Sequence, residues 1–303
     1  MTPTTIMNRA IWIMLAFWPG VLIGQQSHLV KIPARFAWPN SAESAIRANM
    51  LPKDKVRSFI EDLVNTIGPP APRNAELQRQ VPEFRFVPLE TGKFYLVALT
   101  GAGVFWSSAV VLPVGGGFRY TELESDGGIP FAMQAIDLDG DGVDELVTAV
   151  WPAGYLGAAS PPIYWYTIWR FRNAIPEDAS AHYPDFYRRF VVGQLGYLET
   201  LLRSLQGQDP EGTRVPLAEV EYVRLKFERI VLGRTNAGLD EALTWARSKV
   251  PPLKIMGIWS LADMRSPDAT QELNKLAASP VFGDLTKAAL ARRDQFRGTV
   301  PAP

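Results

Sequence analysis

The sequence predicts an α+β chain in which an antiparallel β region is followed by a helical one. Three observations carry this. Between 83 and 172, runs rich in β-branched and aromatic residues alternate with Gly, Pro and Asp. From about Tyr183 onward the apolar spacing changes to the 3.6-residue period of helices. Between two of the strand-like runs lies a loop with acidic residues at alternate positions, 137 to 145.

Residues 1–26 carry one basic side chain, Arg9, before an apolar stretch from Ala10 to Ile23 that Pro19 and Gly20 interrupt. This pattern reads as a secretory signal peptide, because the apolar core is shorter than the roughly 20 residues needed to span a bilayer. The mature chain is expected to be periplasmic, secreted or at a bacterial cell surface, without a stable transmembrane span; an uncleaved anchor is the alternative. The absence of cysteine rules out disulfides, thiolate chemistry and a cysteine-linked lipid anchor, leaving the core, helped by any bound ion, to stabilise an exported protein.

Residues 27–80 form an N-terminal helical segment and linker. Helices are expected over Ser41 to Met50 and Lys53 to Ile67, the second with Val56, Phe59, Ile60, Leu63 and Val64 on one face. The Gly- and Pro-rich residues 68–73 end the segment. Residues 81–175 are the β region, with strands expected over Phe94 to Thr100, Val104 to Leu112, Phe118 to Leu123 and Ile163 to Phe171. Gly115, Gly116 and Gly117 fit a hairpin turn better than a phosphate cradle, which needs a helix after it.

In the acidic loop Asp137, Asp139 and Asp141 occupy positions one, three and five, and Gly142 the sixth, where a calcium loop turns sharply; Val143 then offers its carbonyl. Calcium takes six to eight oxygens, and alternate side chains of a tight loop point inward to supply them. An EF-hand would place glutamate at the twelfth position, which here is Thr148, and helices on both flanks. Two carboxylates ~5 Å apart repel by about 3 kcal/mol at an effective dielectric of ~20 but by less than ~1 kcal/mol in bulk water. A loop held rigid by its strands therefore needs a cation, whereas a solvated one is a polar turn that binds nothing.

The loop and the apolar residues Leu146 and Val147 after it resemble the FG-GAP or VCBS repeat of integrin-like and bacterial surface proteins. The resemblance implies a structural calcium held by Asp137, Asp139, Asp141, Val143 and Glu145, with Asp144 facing solvent. It also implies tandem blades, which a single copy does not meet.

In the run 163 to 171 both faces carry bulk. Tyr164 and Tyr166 offer a platform for sugar rings in one reading, and in the other one face fills the core while the opposite face lies under helices. Residues 176–298 are helical. A stripe of Leu217, Val220, Val223, Phe227, Ile230 and Val231 marks a helix over 216–232 that starts at Pro216. Others are expected over 238–248, 253–264, 267–278 and 284–296, with Ser266 capping the one over 267–278. Residues Lys254 to Asp294 resemble short HEAT-like repeats, which implies a small helical array with a concave face for a protein partner; an ordinary bundle is the competing arrangement. Residues 299–303 form a tail.

Catalysis has little support. His28 and His182 are the two histidines, and no Gly-x-Ser-x-Gly elbow accompanies them. The 31 Lys and Arg balance the 31 Asp and Glu, and the basic residues look scattered, so no nucleic-acid partner is expected. The sequence thus points to an exported, non-catalytic scaffold or protein-interaction module with a structural calcium. A carbohydrate-binding module or an envelope enzyme are the rivals.

Overall fold

The computed structural model describes residues 27–30, 38–50, 83–102, 105–123, 133–150 and 164–297. The expected signal peptide, the helix over 53–67, the linker at 68–73 and the tail lie outside the described residues. Two antiparallel sheets and a set of helices give the α+β architecture. The first sheet has the order β1-β5-β4-β3-β2, from β1 (Ser27–Val30), β2 (Glu83–Glu90), β3 (Lys93–Ala102), β4 (Phe105–Val114) and β5 (Gly117–Leu123). The second runs β6-β7-β8-β9, from β6 (Met133–Ile136), β7 (Glu145–Val150), β8 (Trp165–Arg172) and β9 (Ile175–Asp178).

In the first sheet β2 through β5 form an antiparallel meander, to which β1 adds beside β5, and the alternating side chains fix the register. Gly115, at φ 58°, turns β4 into β5, which is the hairpin expected of the glycine run. The β8–β9 turn is less ordinary, because Asn173 and Ala174 both take positive φ, 52° and 63°, as a two-residue type I′ hairpin demands. That conformation is unfavourable for alanine. It is fixed from the first sheet, where Glu90 accepts from the Ala174 amide at 2.9 Å and Arg119 donates to the Asn173 carbonyl at 3.0 Å.

The sheets pack face to face. Val87, Leu89, Tyr95, Val97, Val110 and Leu112 of the first meet Leu146, Trp169 and Phe171 of the second. The outer face of the first sheet is covered by Trp38 and by α1 (Ala42–Asn49). Trp38 stands edge-on to Phe86 and donates to the Phe94 carbonyl at 2.8 Å, while Asn49 exchanges two hydrogen bonds with the Phe86 backbone. Pairing of β1 with β5 adds a strand that the sequence reading did not anticipate.

The second sheet presents its other face to helices. The helical region comprises α2 (Pro184–Tyr187), one π-helical turn at Arg188–Val192, α3 (Gly193–Gln206), α4 (Pro210–Ile230), α5 (Leu239–Ala246), α6 (Pro251–Ala262), α7 (Pro267–Ala277) and α8 (Gly283–Arg297), of which the earlier helices meet the sheet. Tyr187 of α2 stacks on Trp165 of β8, with ring centroids 5.0 Å apart, and Val147 and Ile168 join Val220, Val223 and Phe227 of α4 in one core. A second core unites α5 through α8 around Ala246, Ile258, Leu261, Leu273 and Ala289. Gly257 is what lets α5 and α6 approach, since a Cβ there would stand 2.2 Å from the Ala246 nitrogen.

The first long helix of this region departs from expectation at its start. It begins at Pro210, where Asp209 accepts from the Gly212 amide as N-cap, so Pro216 lies buried inside the helix instead of opening it. The other expected helices match within two residues at their ends, and Ser266 caps α7 through the Asp268 amide. Among the described residues no helix is long and apolar enough to cross a membrane.

One buried charge in α4 gives the fold a pH signature. Glu219 is 5% exposed, and burial alone pushes its carboxyl up to about 7 from an ordinary 4.5. The folded state therefore holds a proton that the unfolded chain has released, and stability falls as pH rises from 4.5 to about 7, by up to about 3 kcal/mol. Urea unfolding across this window is expected to show the slope in the wild type and its loss in Glu219→Gln, which becomes the more stable of the two above pH 7; equal slopes would contradict the assignment.

Candidate metal centre

The acidic loop closes the β6–β7 hairpin, between Ile136 and Glu145, which are paired. Its turn is made by Gly140 and Gly142, at φ 78° and 82°, values that side chains disfavour. Asp137 organises the turn from within. Its Oδ1 accepts from the Gly140 amide at 2.7 Å and the Asp141 amide at 3.2 Å, and its Oδ2 accepts from the Gly142 amide at 3.0 Å. Asp141 caps the exit by accepting from the Val143 amide at 2.8 Å.

The loop is anchored rather than loose. The Asp144 amide donates to the Pro88 carbonyl of β2 at 2.8 Å, so the loop is tied to the first sheet. The Asp144 side chain is half-buried, and burial pushes its carboxyl upward against the pull of Arg85. This corrects the expectation that Asp144 faces solvent. At the first residue of β7, Glu145 is fully buried, and its Oε2 accepts from the Leu138 amide at 2.9 Å.

Three acidic side chains, Asp137, Asp139 and Glu145, bring carboxylate oxygens within 4.8 Å of one another. Asp141 stands beside this group rather than in it, and Val143 follows it in the turn. The group also contains a cation that the sequence reading missed. Arg170 of β8 donates from Nε to Glu145 Oε1 at 2.9 Å, pairs with Asp139 through Nη2, and lies 3.9 Å from Asp141 Oδ2. Strand register explains the meeting, because Leu146 pairs with Trp169 and the next residues outward on the two strands are Glu145 and Arg170.

Tyr183 completes the surroundings. Its ring lies under the guanidinium, with Arg170 Cζ 5.3 Å from the ring centroid, and its hydroxyl donates to Asp139 Oδ2 at 3.4 Å. Burial, and then the adjacent Glu145 carboxylate, hold the Tyr183 phenol above its ordinary range. Arg170 faces three carboxylates, those of Asp139, Asp141 and Glu145, while Asp137 stands with Asp139 and Glu145 in the acidic group. Glu145 is buried but Asp137, Asp139 and Asp141 are exposed, so water screens most of the repulsion among these three. Asp137, Asp139 and Glu145 are the side chains that would hold the ion.

The aromatic strand turns inward. Tyr166 is half-buried, meets Phe186 edge-on at 6.0 Å and belongs to the layer under the helices. Tyr164 precedes β8 and is half-buried as well. His182 is exposed in a short 3₁₀ turn, Ser180–His182. No protein-family model matches the chain, and no curated protein or solved structure is significantly similar to it.

Removing Arg170 separates its role from that of an ion. In chelator, Arg170→Gln is expected to lose about 1–3 kcal/mol in urea unfolding, the cost of leaving buried Glu145 without its charged donor, and millimolar calcium is expected to restore part of that loss. A variant as stable as the wild type in chelator would show that Arg170 does not support the loop.

Proposed function

We propose that this chain is an exported, non-catalytic scaffold in which one calcium ion, held by Asp137, Asp139 and Glu145 with Asp141 and the Val143 carbonyl at its edge, fixes the β6–β7 hairpin. The observation that carries this reading is the convergence of three carboxylates within 4.8 Å, one of them fully buried. A buried carboxylate among like charges is costly unless a cation compensates it, and Arg170 supplies a single charge. The alternate-residue spacing and the resemblance to the FG-GAP or VCBS hairpin add independent support for calcium over a smaller, strictly octahedral ion.

In this reading the ion is structural. The loop touches the first sheet through Pro88 and the start of the helical region through Tyr183, so fixing it stiffens the junction of three layers. A location outside the cytoplasm, where calcium is commonly near millimolar, suits a loop of modest affinity. The helices from α5 to α8, read as short HEAT-like repeats, would present the surface that meets a protein partner. Tyr166, committed to Phe186, gives the carbohydrate reading no comparable support.

Thermal unfolding tests the ion. At a free calcium concentration ten times the dissociation constant the native state gains about 1.4 kcal/mol, a rise of roughly 2–3 °C in Tm for a chain of this size. Chelator is expected to remove the rise, and Asp139→Ala to abolish the response to calcium. A transition that neither chelator nor the substitution moves would overturn the assignment.

A further inference from the structure

The helical region contains a second site of opposite charge. A cleft of about 700 Å³ opens between α4, the end of α5 and the turn into α6. That volume lies within the roughly 300–1,000 Å³ of small-molecule sites. Arg214, Arg247 and Lys249 line it together with Ser248, and among the described residues no carboxylate does. In a chain of zero net charge this is a local excess of positive charge. The fold gathers them from α4 and from a turn more than thirty positions later.

The three cations are not equivalent. Arg247 is held in place by the buried Glu272 of α7, donating from Nε to Oε1 at 3.3 Å and from Nη2 to Oε2 at 3.0 Å. Its side chain is nevertheless 60% exposed, and its Nη1 has no partner among the described residues. The guanidinium is thus fixed in orientation with donors to spare, the arrangement suited to phosphate or carboxylate. Arg214 and Lys249 are exposed and have no acidic partner among the described residues. Beside them the half-buried indole of Trp245 and the side chains of Val250 and Leu253 give the cleft an apolar wall.

We propose that this cleft binds a small organic anion, a phosphate or carboxylate head on a flat or apolar body. The head is taken by Arg214, Arg247 and Lys249, and the body lies against Trp245 and Leu253. The two halves of the site exclude simpler ligands: an inorganic ion leaves the indole uncovered, and an uncharged aromatic leaves the cations unmatched.

Calorimetric titration with phenyl phosphate at low ionic strength tests this, with inorganic phosphate and phenol as the two half-ligands. One molecule is expected to bind per chain, at least tenfold more tightly than either half, with affinity falling as salt is added. Arg214→Ala combined with Lys249→Ala, both at exposed positions, is expected to keep the wild-type Tm and weaken binding by tenfold or more; Arg214→Lys recovers part of it. Sedimentation with phosphatidylglycerol vesicles distinguishes the source: binding lost in the double variant identifies the head as a lipid headgroup, and no sedimentation identifies it as a soluble anion. Absence of saturable binding to phenyl phosphate, equal affinity in the double variant, or binding of polyglutamate alone, which would mark an acidic protein segment, would overturn the proposal.

Discussion

A carboxylate buried at the first residue of β7 governs the centre of this molecule. Glu145 has left water entirely, so its charge must be met where it stands. One oxygen accepts from the Leu138 amide at the entrance of the loop, and the other accepts from Arg170 on the neighbouring strand. Arg170 in turn gathers Asp139 and lies over Tyr183, where the chain passes from sheet to helix. A single charge pair thereby joins the loop, the second sheet and the helical layer, while the Asp144 amide extends the same unit to the first sheet.

Much of this architecture is legible in the chain. The turn glycines, the alternating strand at 163 to 171 and the cap at Ser266 are local signals, readable because a few adjacent residues decide each one. Arg170 was not legible. In sequence it is an ordinary polar residue on a strand, and its meeting with Glu145 exists only once β7 and β8 are in register. The α3 helix falls in the region expected to be helical, 176–298, but its own ends were not legible for a different reason: Leu195 and Leu202 are buried while Tyr197, Leu201 and Leu205 stay exposed, so its apolar spacing has no single face. Pro216 misled because proline favours a first helical turn, whereas Asp209 and Pro210 supply the stronger start.

The two charged sites divide the molecule. The acidic group sits at the junction of sheets and helices, made by one loop and one cross-strand arginine. The basic cleft sits wholly among helices, made by residues that the sequence separates and packing brings together. An ion at the first would act on the rigidity of the β layers, and an anion at the second would engage a surface whose geometry depends on the close α5–α6 approach at Gly257. Neither site shares a residue with the other, so their occupancies can be measured separately.

The central claim is that the loop demands a cation beyond the one Arg170 supplies. Equilibrium dialysis with radioactive calcium tests it most directly, on the wild-type chain and on Asp137→Ala. One ion per chain, bound saturably up to millimolar concentration, absent from the variant and not displaced by equal magnesium, is the result this account predicts. No saturable binding by the wild type, or the same binding in Asp137→Ala, would contradict it and leave Arg170 as the sole counter-charge of the loop.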